Sequence, residues 1–198
     1  MSEKKAAVLL AEGFEEGETL FIIDIFRRAK ITCDSVSIEN EMVKGGHDIY
    51  VKADRIIDEA MFDEYDMVVI PGGLAAAERL SACEPVRKWV HGFVEEDKYV
   101  AAICAGVMVL KAACVSEGRT ITSYPGEKYY QMFADSNYID DNAELDQMVA
   151  VDGKLITSRG PATTFPFAYR IAEALGADTE PLKKGMLYHA FCDSIRNS

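Results

Sequence analysis

Short runs of buried-type residues recur along the chain and are separated by segments in which apolar residues return with helical spacing. The runs AAVLLA (6–11), TCDSVSI (32–38), DMVVI (66–70), YVAAIC (99–104), RTITS (119–123), DQMVAV (146–151) and KLITS (154–158) have the β-branched, apolar character of strands. Segments 16–29, 84–96, 105–115 and 162–175 carry helical periodicity, and Pro161 suits the first turn of the last one. The stretch EPLKKGMLYHAFCDSIRNS allows a further C-terminal helix. Strands alternating with helices predict an α/β fold with a mostly parallel sheet. Asp152-Gly153 lies between the last two runs and is a hairpin signal, so one antiparallel pair is expected at the side of that sheet.

Helix 16–29 contains Leu20, Phe21, Ile22, Ile23, Ile25 and Phe26, more apolar surface than one core-facing stripe requires. One face is expected to pack on the sheet and the other on a second copy, giving a homodimer; coverage of that second face by the same chain is the alternative.

At 198 residues and 49% apolar content, the expectation is one domain spanning 1–198. No run approaches a membrane span, and the N-terminus lacks a signal-peptide pattern, so a soluble, cytoplasmic protein is expected. Five cysteines, at 33, 83, 104, 114 and 192, form no CxxC pair and no Cys/His ligand spacing. Neither a disulfide framework nor a metal site is indicated. A net charge of −12 without a basic cluster excludes the electrostatic footprint of nucleic-acid binding.

The candidate chemistry gathers where strands end. In open α/β sheets the ligand crevice lies beyond the carboxyl ends of the strands. Here those ends carry EGFEEGE, PGG, Cys104, Tyr124-Pro125 and Arg159-Gly160-Pro161. Cys104 stands where an apolar strand breaks into a helix at Ala105-Gly106, a corner that would expose the thiol and point it at a helix N-terminus, acidifying it. A buried core cysteine fits the same position. Gly72-Gly73 could bring bare N–H groups to a ligand and, with the Ala105 N–H, form an oxyanion hole; an ordinary strand-ending turn is the competing reading. Among Glu15, Glu16 and Glu18, two are expected on a solvated face at the helix start, while one could reach inward with a raised pKa beside a thiolate. Arg159 reads first as an ion-pair or packing residue.

Taken together, LLAEGFEEGET, VVIPGG, AAICAG and LITSRGPATTFPFA resemble the DJ/ThiJ/PfpI superfamily, in its parkinsonism-associated branch and bacterial counterparts, from about residue 6 to 175. The resemblance implies a flavodoxin-like three-layer α/β sandwich of the class I glutamine amidotransferase-like kind and a homodimer. It also implies a reactive nucleophile-elbow cysteine at Cys104, with Glu18 bonded to its sulfur and Gly73 and Ala105 N–H groups lining the pocket. Activities of that superfamily include cofactor-independent glyoxalase or deglycase chemistry on methylglyoxal and its adducts, peroxide sensing through cysteine sulfinate, and holdase chaperoning.

One departure stands out. Many members place a His directly after the cysteine or in the loop that here reads TSYPGEK; this chain has Ala105 and Tyr124 instead. A phenol is a poor general base at neutral pH, which disfavours a protease-like Cys-His mechanism. His91 and His189 lie in helical and C-terminal segments, and His47, like Arg28, matches an interface Arg of that branch. The expectation is therefore a cofactor-independent enzyme for small aldehydes, with a non-enzymatic redox sensor or holdase working through Cys104 sulfinate as the alternative. No GxGxxG or P-loop pattern supports a nucleotide binder.

Overall fold

A computed structural model describes residues 4–57, 62–140 and 148–196. The central sheet has seven strands. In chain order they are β1 (Lys5–Leu10), β2 (Thr32–Ser37), β5 (Arg55–Ile56), β6 (Met67–Ile70), β7 (Tyr99–Ile103), β10 (Val149–Asp152) and β11 (Leu155–Ser158). Their spatial order is β10-β11-β7-β6-β1-β2-β5, parallel throughout except for the β10–β11 hairpin. Gly153 turns that hairpin at φ +59°, as Asp152-Gly153 foretells. The start of the expected strand at 146–151 lies outside the described residues.

Helices cover both faces of the sheet, which is the expected three-layer arrangement. Helices α1 (Glu16–Arg28) and α6 (Thr164–Ala174) pack together, while α2 (Leu74–Ala82), α3 (Glu84–Glu95) and α4 (Met108–Ala112) form a second group. β1 and β6 are apolar and almost wholly buried because helices cover both sides of them. Short helices α5 (Glu127–Met132), α7 (Glu180–Gly185) and α8 (Tyr188–Arg196) complete the set, so the C-terminal helical segment forms as two pieces. A β3–β4 hairpin (Met42–Lys44 with Tyr50–Lys52) stands apart from the main sheet. Among the described residues no helix is long and apolar enough to cross a membrane.

Three expectations need correction. The run RTITS does not join the main sheet: β8 (Thr120–Ile121) pairs with β9 (Asn137–Tyr138) in a separate ribbon. Side chains tether it instead. Asp152 accepts from the Thr120 N–H at 2.7 Å, and Thr157 Oγ1 accepts from the Thr122 N–H at 2.9 Å. The segment still ends beside β7, where the Tyr124 N–H donates to the Cys104 carbonyl at 3.5 Å. Second, the helix expected at 105–115 opens as a 3₁₀ turn over Cys104–Val107 before α4 begins. Third, the PGG turn leads directly into α2, an Ala-rich helix that strand-ending composition conceals.

Candidate active site

Cys104 follows β7 with φ +60°, a left-handed conformation that costs a non-glycine residue free energy and that a strand-to-helix elbow imposes. The thiol is not the exposed group the corner suggests, since Cys104 is 9% exposed. Its neighbours explain the enclosure. Gly73 ends the β6 loop at φ +90°, and a side chain there would strike the Gly13 carbonyl at 2.2 Å, so the β6 and β1 loops close on each other. At Gly72, the point where a Cβ would sit is 2.5 Å from Glu18 Oε2 and 3.0 Å from Cys104 Sγ. The carboxyl and the thiol therefore meet over a bare α-carbon.

Glu18 is delivered by the first turn of α1. Glu15 caps that helix, its carboxylate accepting the Glu18 N–H at 2.5 Å. Glu16 departs from the solvated role expected of it: it is buried and accepts from the His47 N–H at 2.6 Å and the His47 ring Nδ1 at 2.8 Å. Burial works against its charge, but those bonds outweigh it and hold its pKa below the usual value. His47 thus latches the β3–β4 hairpin to the N-terminus of α1. Glu15, Glu16 and His47 place one ligand-type atom each within 4.8 Å of one another, but their pairings are a helix cap and an ion pair.

Glu18 itself is fully buried. Its Oε2 accepts the Gly72 N–H at 2.7 Å, and Oε1 has no hydrogen-bond partner among the described residues. Burial pushes its pKa up to about 7, against the pull of the Gly72 N–H and the Cys104 side chain. The thiol is pushed up as well, to about 12, first by burial and then by the Glu18 charge, while the Ala105 and Gly73 N–H groups pull it down. The acidic thiol expected from a helix N-terminus is thus corrected, because desolvation and a carboxylate neighbour outweigh two N–H donors. Two anions cannot share this volume, so the pair holds one negative charge from near neutrality upward and titrates as a unit.

The other candidates sort by what they touch. Gly72 is not an oxyanion donor, because its N–H is engaged by Glu18. Gly73 and Ala105 keep theirs on the sulfur. Tyr124 is half exposed, and its ring lies over Gly160, 3.5 Å from where a Cβ would be; that contact brings the 159–161 loop to the Tyr124 side. The Arg159 guanidinium bonds the Asp140 carbonyl at 3.0 Å, a packing role. Pro161 opens the 3₁₀ turn that leads into α6 and is exposed. His91 bonds the Ala113 carbonyl at 3.2 Å, Arg28 pairs with Asp24 and His189 with Glu180. One residue was not singled out by sequence, Tyr129. It is buried, and the Cys104 charge acts on it. Its signal was faint: two tyrosines in a short polar segment after Tyr124-Pro125-Gly126.

A flavodoxin-like sandwich with a cysteine on a left-handed elbow and a buried carboxyl against its sulfur defines a class of α/β proteins with a cysteine-centred site. The DJ-1/PfpI family model matches residues 4–174, and the chain belongs to that family. It is 35% identical to protein dj-1beta of Drosophila melanogaster over 93% of this chain and 97% of that one. The crystal structure of that relative superposes with a TM-score of 0.87, covering 93% of this chain and 98% of the other. Two further relatives carry activity in their names. The glutathione-independent glyoxalase DJ-1 of Schizosaccharomyces pombe is 30% identical over 87% of this chain and 92% of its own length. A deglycase of Pyrococcus horikoshii is 32% identical over 86% and 99%.

Proposed function

We propose that this protein is a cysteine-dependent, cofactor-independent glyoxalase or deglycase acting on methylglyoxal-like aldehydes or their adducts. The observation that carries this reading is the fully buried Glu18 carboxyl meeting the Cys104 sulfur over Gly72, where burial pushes both pKa values up so that one proton serves the pair. Moving that proton from sulfur to carboxyl makes a thiolate only when an electrophile is ready to take it. The sulfur adds to the aldehyde carbon to give a hemithioacetal, whose oxygen takes the proton from Glu18 and has the Gly73 and Ala105 N–H groups as donors. The Glu18 carboxylate then removes the C1 proton and returns it to C2, giving a thioester of the 2-hydroxy acid. Water hydrolyses that thioester, releasing lactate and the thiol, so methylglyoxal plus water becomes lactate with no external redox partner. The names of the yeast and archaeal relatives support this reaction class.

The test is lactate formation from methylglyoxal by the wild type and Cys104→Ser. The variant should be inactive, and equal rates would exclude the mechanism. For the wild type, kcat/KM should rise about tenfold per pH step below 7 and level off above it, following the first ionisation of the pair.

A second reading is favoured by the partnerless Glu18 Oε1. A protonated carboxyl there could donate to a sulfinate formed on Cys104 by two equivalents of peroxide with release of two waters, making the site a redox sensor or a holdase switch. Selective gain of two oxygens at Cys104, faster than at Cys33 or Cys114, supports it; equal reactivity of the three ends it.

The functional unit is proposed to be one domain, assembled as a homodimer in the cytoplasm. Phe21 meets Phe165 of α6 in a tilted ring contact at 4.6 Å, yet Leu20 and Phe21 remain about 40% exposed, an apolar patch on α1 that suits a second copy. Free cysteines suit a reducing compartment.

A further inference from the structure

The KGGHD turn of the β3–β4 hairpin lies against the segment that enters α1. The Gly13 N–H donates to the Lys44 carbonyl at 2.8 Å, and the Gly46 N–H donates to the Phe14 carbonyl at 2.8 Å. Beyond those backbone bonds, the buried Glu16 carboxylate takes the His47 N–H on Oε1 and the ring Nδ1 on Oε2. Gly45 makes that fit possible: a Cβ there would lie 2.2 Å from Glu16 Oε1, so a bare α-carbon admits the carboxylate. The same segment is also fastened to the Cys104 loops. The Glu15 N–H donates to the Gly72 carbonyl at 3.0 Å, and the Gly72 N–H donates to Glu18 Oε2 at 2.7 Å. Two residues apart is about 200° around a helix, so Glu16 and Glu18 leave the first turn on nearly opposite sides. That turn is gripped from two directions, by the hairpin through Glu16 and by the thiol pocket through Glu18.

We propose that Glu16 is a positioning residue of the Cys104 site: seated over Gly45 and held by His47, it fixes the start of α1 so that the Glu18 carboxyl stays against the Cys104 sulfur. The catalytic consequence rests on the glyoxalase reading, whereas the placement of Glu18 is measurable without any substrate. Apart from the sulfur, Glu18 is held by the Gly72 N–H, and its Oε1 has no hydrogen-bond partner among the described residues. Its place therefore depends on the backbone that carries it. The first turn is where a helix holds its own backbone least, since its leading N–H groups have no carbonyl one turn back. The hairpin supplies that hold from outside. The His47 ring is largely exposed, so the ion pair itself adds little stability and its effect is on position.

Two substitutions in the full chain break the clamp by different routes. Glu16→Ala removes the carboxylate, and Gly45→Ala keeps it but drives it from its seat. In both, iodoacetamide alkylation of Cys104 at pH 8 should rise about tenfold, the effect of one pKa unit on the thiolate population, because the Glu18 charge that suppresses the thiolate has moved away. Lactate formation from methylglyoxal should fall about tenfold or more in kcat/KM, because the proton acceptor is displaced. A faster nucleophile with slower turnover is not what a loss of stability alone produces. Cys33, buried in β2, reports general loosening and should stay unreactive. Glu16→Gln should keep wild-type values of both rates, since its amide oxygen accepts the His47 N–H and its NH2 donates to Nδ1 of a neutral ring. Unchanged or slower Cys104 alkylation in either alanine variant overturns the inference. So does a matching rise at Cys33, or a Gln variant that behaves like Ala. A wild type that makes no lactate ends the glyoxalase reading, and the alkylation rates still decide whether Glu16 positions Glu18.

Discussion

Replacing Glu18 by Gln tests the electrostatics of the site without reference to any substrate. The carboxyl is fully buried and pushed up to about 7 from an ordinary 4.5, a difference worth about 3 kcal/mol. In the unfolded chain Glu18 loses its proton near 4.5, whereas in the folded protein it keeps it to about 7. Its contribution is therefore fully present below 4.5, declines as pH rises and is lost above 7. Gln is isosteric, cannot ionise, and still accepts the Gly72 N–H. The variant should match the wild type near pH 4.5 and exceed it by about 3 kcal/mol at pH 8, a large step against a total of about 5–15 kcal/mol for a domain. Urea unfolding of both proteins at pH 5, 6, 7 and 8 measures it. His47 and Glu16 also titrate differently on folding, but they do so in both proteins and cancel in the difference. Parallel pH profiles, or a variant less stable at pH 8, would refute the assignment of a desolvated, shared-proton carboxyl.

Two further outcomes follow from packing. Gly72→Ala would place a methyl 2.5 Å from Glu18 Oε2 and 2.6 Å from Cys104 Cβ, between groups that neither elbow nor helix lets move freely, so it should lose about 1–3 kcal/mol in thermal or urea unfolding together with most Cys104 reactivity. Sedimentation equilibrium should return the mass of two chains, and Phe21→Lys on the exposed face of α1 should shift it to one; a monomeric wild type would remove the dimer from the proposal.

Helices α1, α3, α4 and α6 and the main-sheet strands other than the two-residue edge strand β5 were legible because their burial is simple. β1, β6 and β7 are covered on both faces and read as unbroken apolar runs, and the β10–β11 turn is written in Asp152-Gly153. α2 and α5 were not legible. The first is an Ala-rich segment with weak periodicity, and the second has six residues, too short for a period to show. RTITS was read as a sheet strand because its composition is that of a strand, yet hydrogen bonds from Thr120 and Thr122 to the side chains of Asp152 and Thr157 hold it outside the ladder.

The chain by itself determined that a thiol, three glutamates, two glycines and a tyrosine lie at strand ends, since local patterning sets strands and topology sends their ends to one rim. Tertiary structure decided how those groups behave. Which glutamate turns inward depends on how the start of α1 meets Gly72, and the solvated role foreseen for Glu16 fails because the β3–β4 hairpin brings His47 onto it. The thiol's proton affinity depends on desolvation and on a charge from a helix 54 residues before Gly72 in the chain, which outweigh the local pull of the elbow N–H groups. Hydrophobic periodicity is a property of neighbours in sequence, whereas pKa and hydrogen-bond satisfaction are properties of neighbours in space.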